Sequence, residues 1–462
     1  MYNKYMAKHF RSKSPHDDSV LGEIAISTGE EVNEKVATAR AALPAWRTLG
    51  VSGRVNHLRK FHAVFSQRLE QFAQLATKEM GMPIALSRSS TESALGYLGS
   101  YLDSAPKYLE PEITYENGAE IHTVYREPYG VAAVIVPWNY PASNFVWGCG
   151  QNLIAGNTVV FKVSEEVPLC GQMIENMMRE AGMPEGVFNE VYGRGPVGAL
   201  LSRSDIDLIC FTGSTEVGMS LYRTASANMI KIVMELGGSG PGIVFEDADL
   251  DIAIPAIFDS RFLNSGQTCD ALKRLIVHES IWDVVIERLV AKLEMVQLGD
   301  PSQPQFQIGP LVSKRQVETI ERQVDDALKK GAVVIKGGKR PGLLGTYYEP
   351  TLLSNVTPDM RVWQEETFGP VLPIAKFDTE EKAIRMANHT DYGLGAYIYT
   401  RDAARAERAA NQIESGMISV NGVDYVRPQN PFGGYKNSGL GREHGHWGFE
   451  DVTQIKVISR KK

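Results

Sequence analysis

Cysteine is scarce in this chain: Cys149, Cys170, Cys210 and Cys269 are the four among 462 residues. So sparse a set builds no disulfide framework and fits a reducing, cytoplasmic setting in which one thiol stays available as a nucleophile. No uninterrupted apolar run reaches membrane-spanning length. The opening stretch MYNKYMAKHFRSKSPHDD has no apolar segment followed by a cleavage site, so no signal peptide is expected. Basic residues do not predominate: 48 Lys and Arg against 55 Asp and Glu give a net charge of −7. That balance offers no field for nucleic acid or an anionic membrane. HExxH, C-x-x-C, G-x-S-x-G and a Walker A loop are all missing, as are internal repeats and low-complexity segments. The nine histidines are scattered, and the closest cluster, Glu443-His444-Gly445-His446, is expected at a surface or interface; no metal site is expected.

What is present is globular. Hydrophobic residues make up 43% and charged residues 22%, and the length calls for two or three domains. Residues 20–110 read mostly helical, with helical spacing over 31–45 and 54–80 and a stripe of Leu58, Phe61, Val64, Phe65, Leu69 and Phe72 suited to packing on a sheet. From Val131 short apolar runs (VAAVIV, TVVFK, FNEVY, DLICF, KIVME) alternate with helical stretches near 174–181, 197–202 and 217–224. That alternation predicts an α/β fold with a doubly wound parallel sheet, whose strand ends form nucleotide-binding crevices. A second αβ series starts near Pro241 and runs through RLIVH, helices near 281–297 and 314–331, AVVIK, VLPIAKF, GAYIYT and MISVN. Asn117-Gly118 between two partly alternating arms predicts a hairpin over 112–125, too small to be stable alone.

Three places invite chemistry. Phe262-Leu-Asn-Ser-Gly-Gln-Thr-Cys269 puts glycine and small polar residues before a cysteine, a turn suited to exposing sulfur to a cleft, although a buried packing thiol has the same pattern. Met234-Glu-Leu-Gly-Gly238 sets a carboxylate, Glu235, before two glycines at a strand end; it is read as a general base, or as a capping or surface acid. Pro137-Trp-Asn-Tyr-Pro141 closes VAAVIV with two prolines, so Asn139 can offer its side-chain amide to an oxyanion.

Taken together these motifs resemble the aldehyde dehydrogenase superfamily over roughly residues 20 to 460. PWNYP (137–141), GNTVVFKVSE (156–165), FTGSTEVG (211–218), MELGG (234–238), FLNSGQTC (262–269), EETFGPV (365–371) and PFGGYKNSGLGRE (431–443) follow in the family's order. The resemblance implies NAD(P)-dependent oxidation of an aldehyde to the acid. Cys269 would attack the carbonyl carbon, Asn139 and the Cys269 N–H would hold the oxyanion, and Glu235 would activate water against the thioester. A depressed Cys269 thiol pKa would help. For the cofactor the resemblance implies contacts from Pro137, Trp138, Lys162, Ser164, Glu165, Gly213, Ser214, Gly218, Leu236, Glu366 and Phe368. Glu165 would accept from a free ribose 2′-OH and so favours NAD, with NADP the alternative. Ser214 would reach a phosphate.

ELGGS and the C-x-A-x-K-R pattern at 269–274 are similar to a short bacterial branch rich in succinate-semialdehyde dehydrogenases. Where that branch commonly has a carboxylate-binding arginine, eight positions after Asn139, this chain has Trp147. Tyr140, Trp147 and Phe432 would make an aromatic wall, Arg427 an alternative anion contact or a solvated arginine, and Asp270 either a deterrent to anions or a helix cap. The substrate is thus expected to be succinate semialdehyde or a related semialdehyde, with aromatic or aliphatic aldehydes as the alternative. A CoA-acylating relative and a non-catalytic NAD-binding protein are the remaining readings, and Glu235 counts against the first. The implied domains are 1–111 with 129–236 for the cofactor, 237–429 for catalysis, 430–444 as a return segment, and 112–128 with 445–462 as oligomerisation arms of a homodimer or homotetramer.

Overall fold

The computed structural model describes residues 9–462. Strand Val131–Ile135 shows most directly why the chain folds as it does. Ala132 and Val134 join a core with Phe61, Phe65 and Phe72, whereas Val131, Ala133 and Ile135 join one with Val32, Val36 and Ala39. Side chains alternate across a strand, so a continuous apolar run is a strand covered on both faces. Helices Gly50–Met80 and Ile84–Tyr108 supply one cover and helix Gly29–Thr48 the other. The last begins with a reciprocal cap in which Thr28 and Glu31 satisfy each other's backbone N–H groups.

Six strands form the first sheet, in the order Gly439–Leu440, Lys231–Glu235, Leu208–Thr212, Val131–Ile135, Thr158–Lys162, Phe188–Glu190. All pair in parallel except the first. Strand order reverses between Val131–Ile135 and Leu208–Thr212, and in open α/β sheets ligands bind outside the carboxyl ends at such a point. A second, seven-stranded sheet centres on Leu272–His278 and Gly240–Val244 and is also covered on both faces. The fold is therefore the doubly wound α/β architecture with a second α/β sheet and a small β element. That element is the antiparallel sheet Thr453–Lys461, Glu120–Pro128, Glu112–Glu116. The hairpin falls where Asn117-Gly118 predicts it, with Asn117 Oδ1 accepting from the N–H groups of Ala119 (2.7 Å) and Glu120 (3.0 Å).

Two readings of the sequence need correcting. Residues 20–25, assigned to helical sequence, form strand Val20–Ala25, paired with His9–Lys13. The FNEVY run is shorter than expected, Phe188–Glu190, because it is the sheet's edge. No helix of the described residues is long and apolar enough to cross a membrane.

Glu79, near the end of helix Gly50–Met80, ties these parts together. Its buried carboxylate accepts from Ser12 Oγ (2.6 Å), Leu169 N (2.9 Å) and Cys170 N (2.8 Å), linking the first strand to the start of helix Pro168–Glu180. Burial nevertheless pushes its pKa up to about 6. Glu79→Ala leaves these donors unsatisfied and is expected to cost about 2–4 kcal/mol in denaturant unfolding; an unchanged midpoint would refute the assignment.

Candidate active site

The crevice at the reversal point is where the motifs meet. Asn139 lies just beyond strand Val131–Ile135, Gly213 and Ser214 follow Leu208–Thr212, and Glu235 is the last residue of Lys231–Glu235. Across from them stands Cys269, delivered by the second sheet's elements. The turn before it is left-handed at three successive residues, Asn264 (φ 52°), Ser265 (φ 55°) and Gly266 (φ 73°). Such backbone is costly outside glycine and persists only when surrounding contacts hold it. They do: Asn264 Nδ2 donates to Asn139 O (2.9 Å), Asn139 Nδ2 to Gln267 O (3.1 Å), Gln267 Nε2 to Asn264 O (3.0 Å), and Ser265 Oγ to Gly309 O (2.8 Å). Gly238 is required as well, because a Cβ there would sit 2.6 Å from Cys269 O.

Cys269, Glu235 and Asn139 line one cavity of about 420 Å³, together with Pro137, Trp138, Tyr140, Trp147, Gly213, Ser214, Leu236, Asp270, Glu366, Phe368 and Phe432. Lys162, Ser164 and Glu165 lie outside that lining, at the carboxyl end of the neighbouring strand Thr158–Lys162; Lys162 Nζ stands 3.6 Å from Glu165. Gly218 is a packing site, since a Cβ there would come within 2.5 Å of Leu236. Ser214 caps helix Thr215–Ser226 by accepting from Val217 N (3.4 Å), which occupies one lone pair and leaves its O–H proton free to donate.

Trp147 occupies a π-helical turn, Val146–Gly150, whose wider winding re-aims one side chain; such turns recur at functional sites. Its ring centroid lies 5.2 Å from that of Phe432 and 4.6 Å from His444. Phe432 and Glu443 face each other through paired backbone hydrogen bonds of 2.8 Å, which bring both into the cavity wall.

Electrostatics depart from the sequence reading in several respects. Burial, reinforced by Asp270, holds the Cys269 thiol well above its ordinary range although Lys273 works against it, so the thiol is not depressed in this state. Burial and Glu443 raise Glu235 likewise, and neither of its carboxylate oxygens has a hydrogen-bond partner. Asp270 caps no helix, for it is followed by strand Leu272–His278. Arg427 is exposed and outside the lining, so no contact with the cavity supports it as an anion ligand. Glu443 and His444 are not at the surface: Glu443 is pushed up to about 8 by burial, and His444 is enclosed between Tyr97, Tyr101 and Trp147. Among the described residues no group of His, Cys, Asp or Glu is arranged to hold a metal ion.

Lys273 and Glu443 are the site residues that sequence reasoning passed over. Lys273 is completely buried, is ion-paired with Glu366, and donates to Cys269 O (2.8 Å) and Gly238 O (2.9 Å). A lysine inside the strand Leu272–His278 was the available signal, since an unpaired ammonium is not buried.

Over residues 2–458 the sequence matches the profile of the Aldehyde dehydrogenase family. The chain belongs to the aldehyde dehydrogenase family. It is 36% identical to the glutarate-semialdehyde dehydrogenase of Pseudomonas aeruginosa, over 96% of this chain and 92% of that protein. It is also 36% identical to the succinate-semialdehyde dehydrogenase (NADP(+)) of Escherichia coli, over 96% and 93%. The crystal structure of PnpE in complex with nicotinamide adenine dinucleotide superposes with a TM-score of 0.94 at 38% identity, covering 98% of this chain and 94% of that one. The protein is accordingly an oxidoreductase acting on aldehydes, in a family that uses NAD or NADP.

The residues fit such a dinucleotide. The N-terminus of helix Thr215–Ser226 opens on the cavity through Gly213 and Ser214, a setting that favours phosphate. At Gly237 a Cβ would collide with the Glu366 carboxylate, so the backbone there leaves room that any side chain would fill. In this aldehyde dehydrogenase Cys149, Cys170 and Cys210 are buried and Cys269 alone is partly accessible. Iodoacetamide should therefore alkylate one thiol per chain, at a rate still climbing above the ordinary thiol range because the thiolate must form first. Asp270→Asn, which removes the nearest charge raising that pKa, should speed alkylation at neutral pH. A rate that levels off below the ordinary range, measured by intact mass, would contradict this electrostatic account.

Proposed function

We propose that this aldehyde dehydrogenase oxidises its substrate to the carboxylic acid by covalent catalysis at Cys269, with Glu235 as the base for water and Asn139 as an oxyanion donor. The convergence of these three on one cavity, with Glu235 unpartnered, carries the reading. The Cys269 thiol loses its proton to water, and the thiolate sulfur adds to the carbonyl carbon, whose oxygen takes the charge. One N–H of Asn139 is held by Gln267 O, which orients the amide and leaves the second N–H for that oxygen. When bound, the dinucleotide supplies the acceptor for the aldehyde hydrogen as hydride. The thioester left on Cys269 is opened by water that has lost a proton to Glu235, breaking the C–S bond and returning the thiol. A carboxylate raised by burial is a stronger base than a solvated one, which suits that role.

Glu235→Gln should accumulate an acyl-enzyme visible by mass spectrometry and lower kcat by about 10²–10⁴. Cys269→Ala should abolish both adduct and turnover. Turnover by Cys269→Ala, or stimulation of the wild type by CoA, would overturn the scheme.

For the substrate, Tyr140, Trp147 and Phe432 support an aldehyde with an apolar body. A semialdehyde is the second reading, favoured by the activities named for the two relatives. Against it, Arg315 is the one Lys or Arg among the residues lining the cavity, and it lies by Glu166 (3.9 Å) and Gln316, toward Phe368. For the cofactor, Glu165 supports NAD before NADP. Glu165→Gln should raise the NADP-to-NAD ratio of kcat/KM about tenfold, equivalent to about 1.4 kcal/mol; an unchanged ratio would remove that role.

The first sheet, with residues up to 111 and 129–236, is read as the cofactor domain, 237–429 as the catalytic domain, and 430–444 as the segment returning to the first. The small three-stranded sheet exposes Ile113, Tyr115, Ile455 and Val457, which supports its reading as an oligomerisation arm. Ile455→Glu with Val457→Glu should halve or quarter the mass seen by light scattering, and an unchanged mass would count against it. Four free thiols support a cytoplasmic location.

A further inference from the structure

A second cavity, of about 700 Å³, adjoins the site and shares Tyr140, Thr268, Asp270 and Val426 with it. It meets the first cavity at Thr268 and Asp270, the neighbours of Cys269, and none of the residues assigned to the dinucleotide lines it, so it offers room for the far end of a substrate held at Cys269. Every charged residue lining it is an aspartate: Asp251, Asp259, Asp270 and Asp424. Asp251 is ion-paired with Arg288 (2.6 Å). Among the described residues, Asp259, Asp270 and Asp424 make no ion pair within 4.0 Å, and no lysine, arginine or histidine contributes to the lining.

A second, independent feature points to a ligand. Tyr399, which also lines this cavity, is 1% exposed, and its hydroxyl has no hydrogen-bond partner. A buried hydroxyl without a partner costs the desolvation of that group, which a ligand donor entering the cavity would relieve. Partial desolvation of the exposed Asp259 and burial of Asp270 hold both above the ordinary carboxylate range, a state that a neighbouring cation would reverse. The nearest basic groups, Lys292 beside Asp259, Lys273 behind Asp270 and the exposed Arg427, all lie outside the lining.

We infer that the substrate is an aldehyde carrying a cationic nitrogen at its far end, an amino aldehyde, whose ammonium faces Asp259, Asp270 and Asp424 while its carbonyl carbon meets Cys269. The inference rests on the proposed oxidation at Cys269 and adds the charge of the substrate. An ammonium N–H can donate to the Tyr399 oxygen, and the aspartates both attract the cation and repel the anionic end of a dicarboxylic semialdehyde. Tyr140 and Trp147 would flank the short aliphatic body.

The experiment compares kcat/KM of the wild type for β-aminopropanal, its N-trimethyl form, butanal and succinate semialdehyde, by NADH formation at low and high salt. Both cationic aldehydes should exceed butanal about tenfold or more at low salt, since contacts between exposed charges are screened beyond about 10 Å at 0.1 M ionic strength, and the ratio should fall as salt rises. A preference for β-aminopropanal over its N-trimethyl form supports the Tyr399 contact. The double variant Asp259→Asn, Asp424→Asn should lower the ratio of β-aminopropanal to butanal severalfold; both positions are exposed, and the wild-type salt series stands if that variant does not fold. A ratio at or below one, or a preference for succinate semialdehyde, would overturn the inference. No NADH from any of the four aldehydes would instead overturn the oxidation at Cys269 on which it rests.

Discussion

The exchange of hydrogen bonds between Asn139, Asn264 and Gln267 is the constraint on which the site depends. It joins a loop at the end of a first-sheet strand to a left-handed turn that precedes Cys269. Three residues with positive φ in succession are unfavourable alone, and the two bonds to Asn139 are made only when the two sheets are docked. The same contacts that hold the sulfur in place also orient the Asn139 amide. Positioning of the Cys269 sulfur and of the Asn139 amide is therefore a single structural event.

The return segment completes this arrangement from the other side. Ser438 O accepts from Leu236 N (2.9 Å) and Ser438 Oγ donates to Gly237 O (2.7 Å), fixing the backbone just after Glu235. Phe432 and Glu443, two arms of the same segment, then close the cavity wall. Lys273 performs the equivalent service beneath Cys269, with Glu366 as its counter-ion. Glu235 and Cys269 are thus held through backbone atoms, which leaves their side chains free toward the cavity, whereas Asn139 is oriented through its own amide.

Charge in the cavity is arranged with few direct pairs. Glu235, Glu443 and Asp270 all face enclosed space, and burial raises all three. The thiol is raised by the same low-dielectric setting. Without ligand the site therefore favours neutral groups, and a bound dinucleotide or cation alters the field in which Cys269 and Glu235 work.

The sequence by itself determined the two-sided burial of Val131–Ile135, the hairpin at Asn117-Gly118, and the motifs that carry Cys269, Glu235 and Asn139, because strand alternation, turn chemistry and short motifs are local. Val20–Ala25 escaped it, since six residues gain strand form only from pairing with His9–Lys13. Tertiary structure alone decided that Arg427 is exposed and outside the cavity lining and that Asp270 precedes a strand instead of capping a helix. It also decided that Glu443 and His444 are buried and that Lys273 donates to the Cys269 carbonyl. Burial and charge environment are sums over residues distant in sequence, so the raised pKa of Cys269 and the cavity whose charged residues are all aspartates exist only once the two sheets have packed.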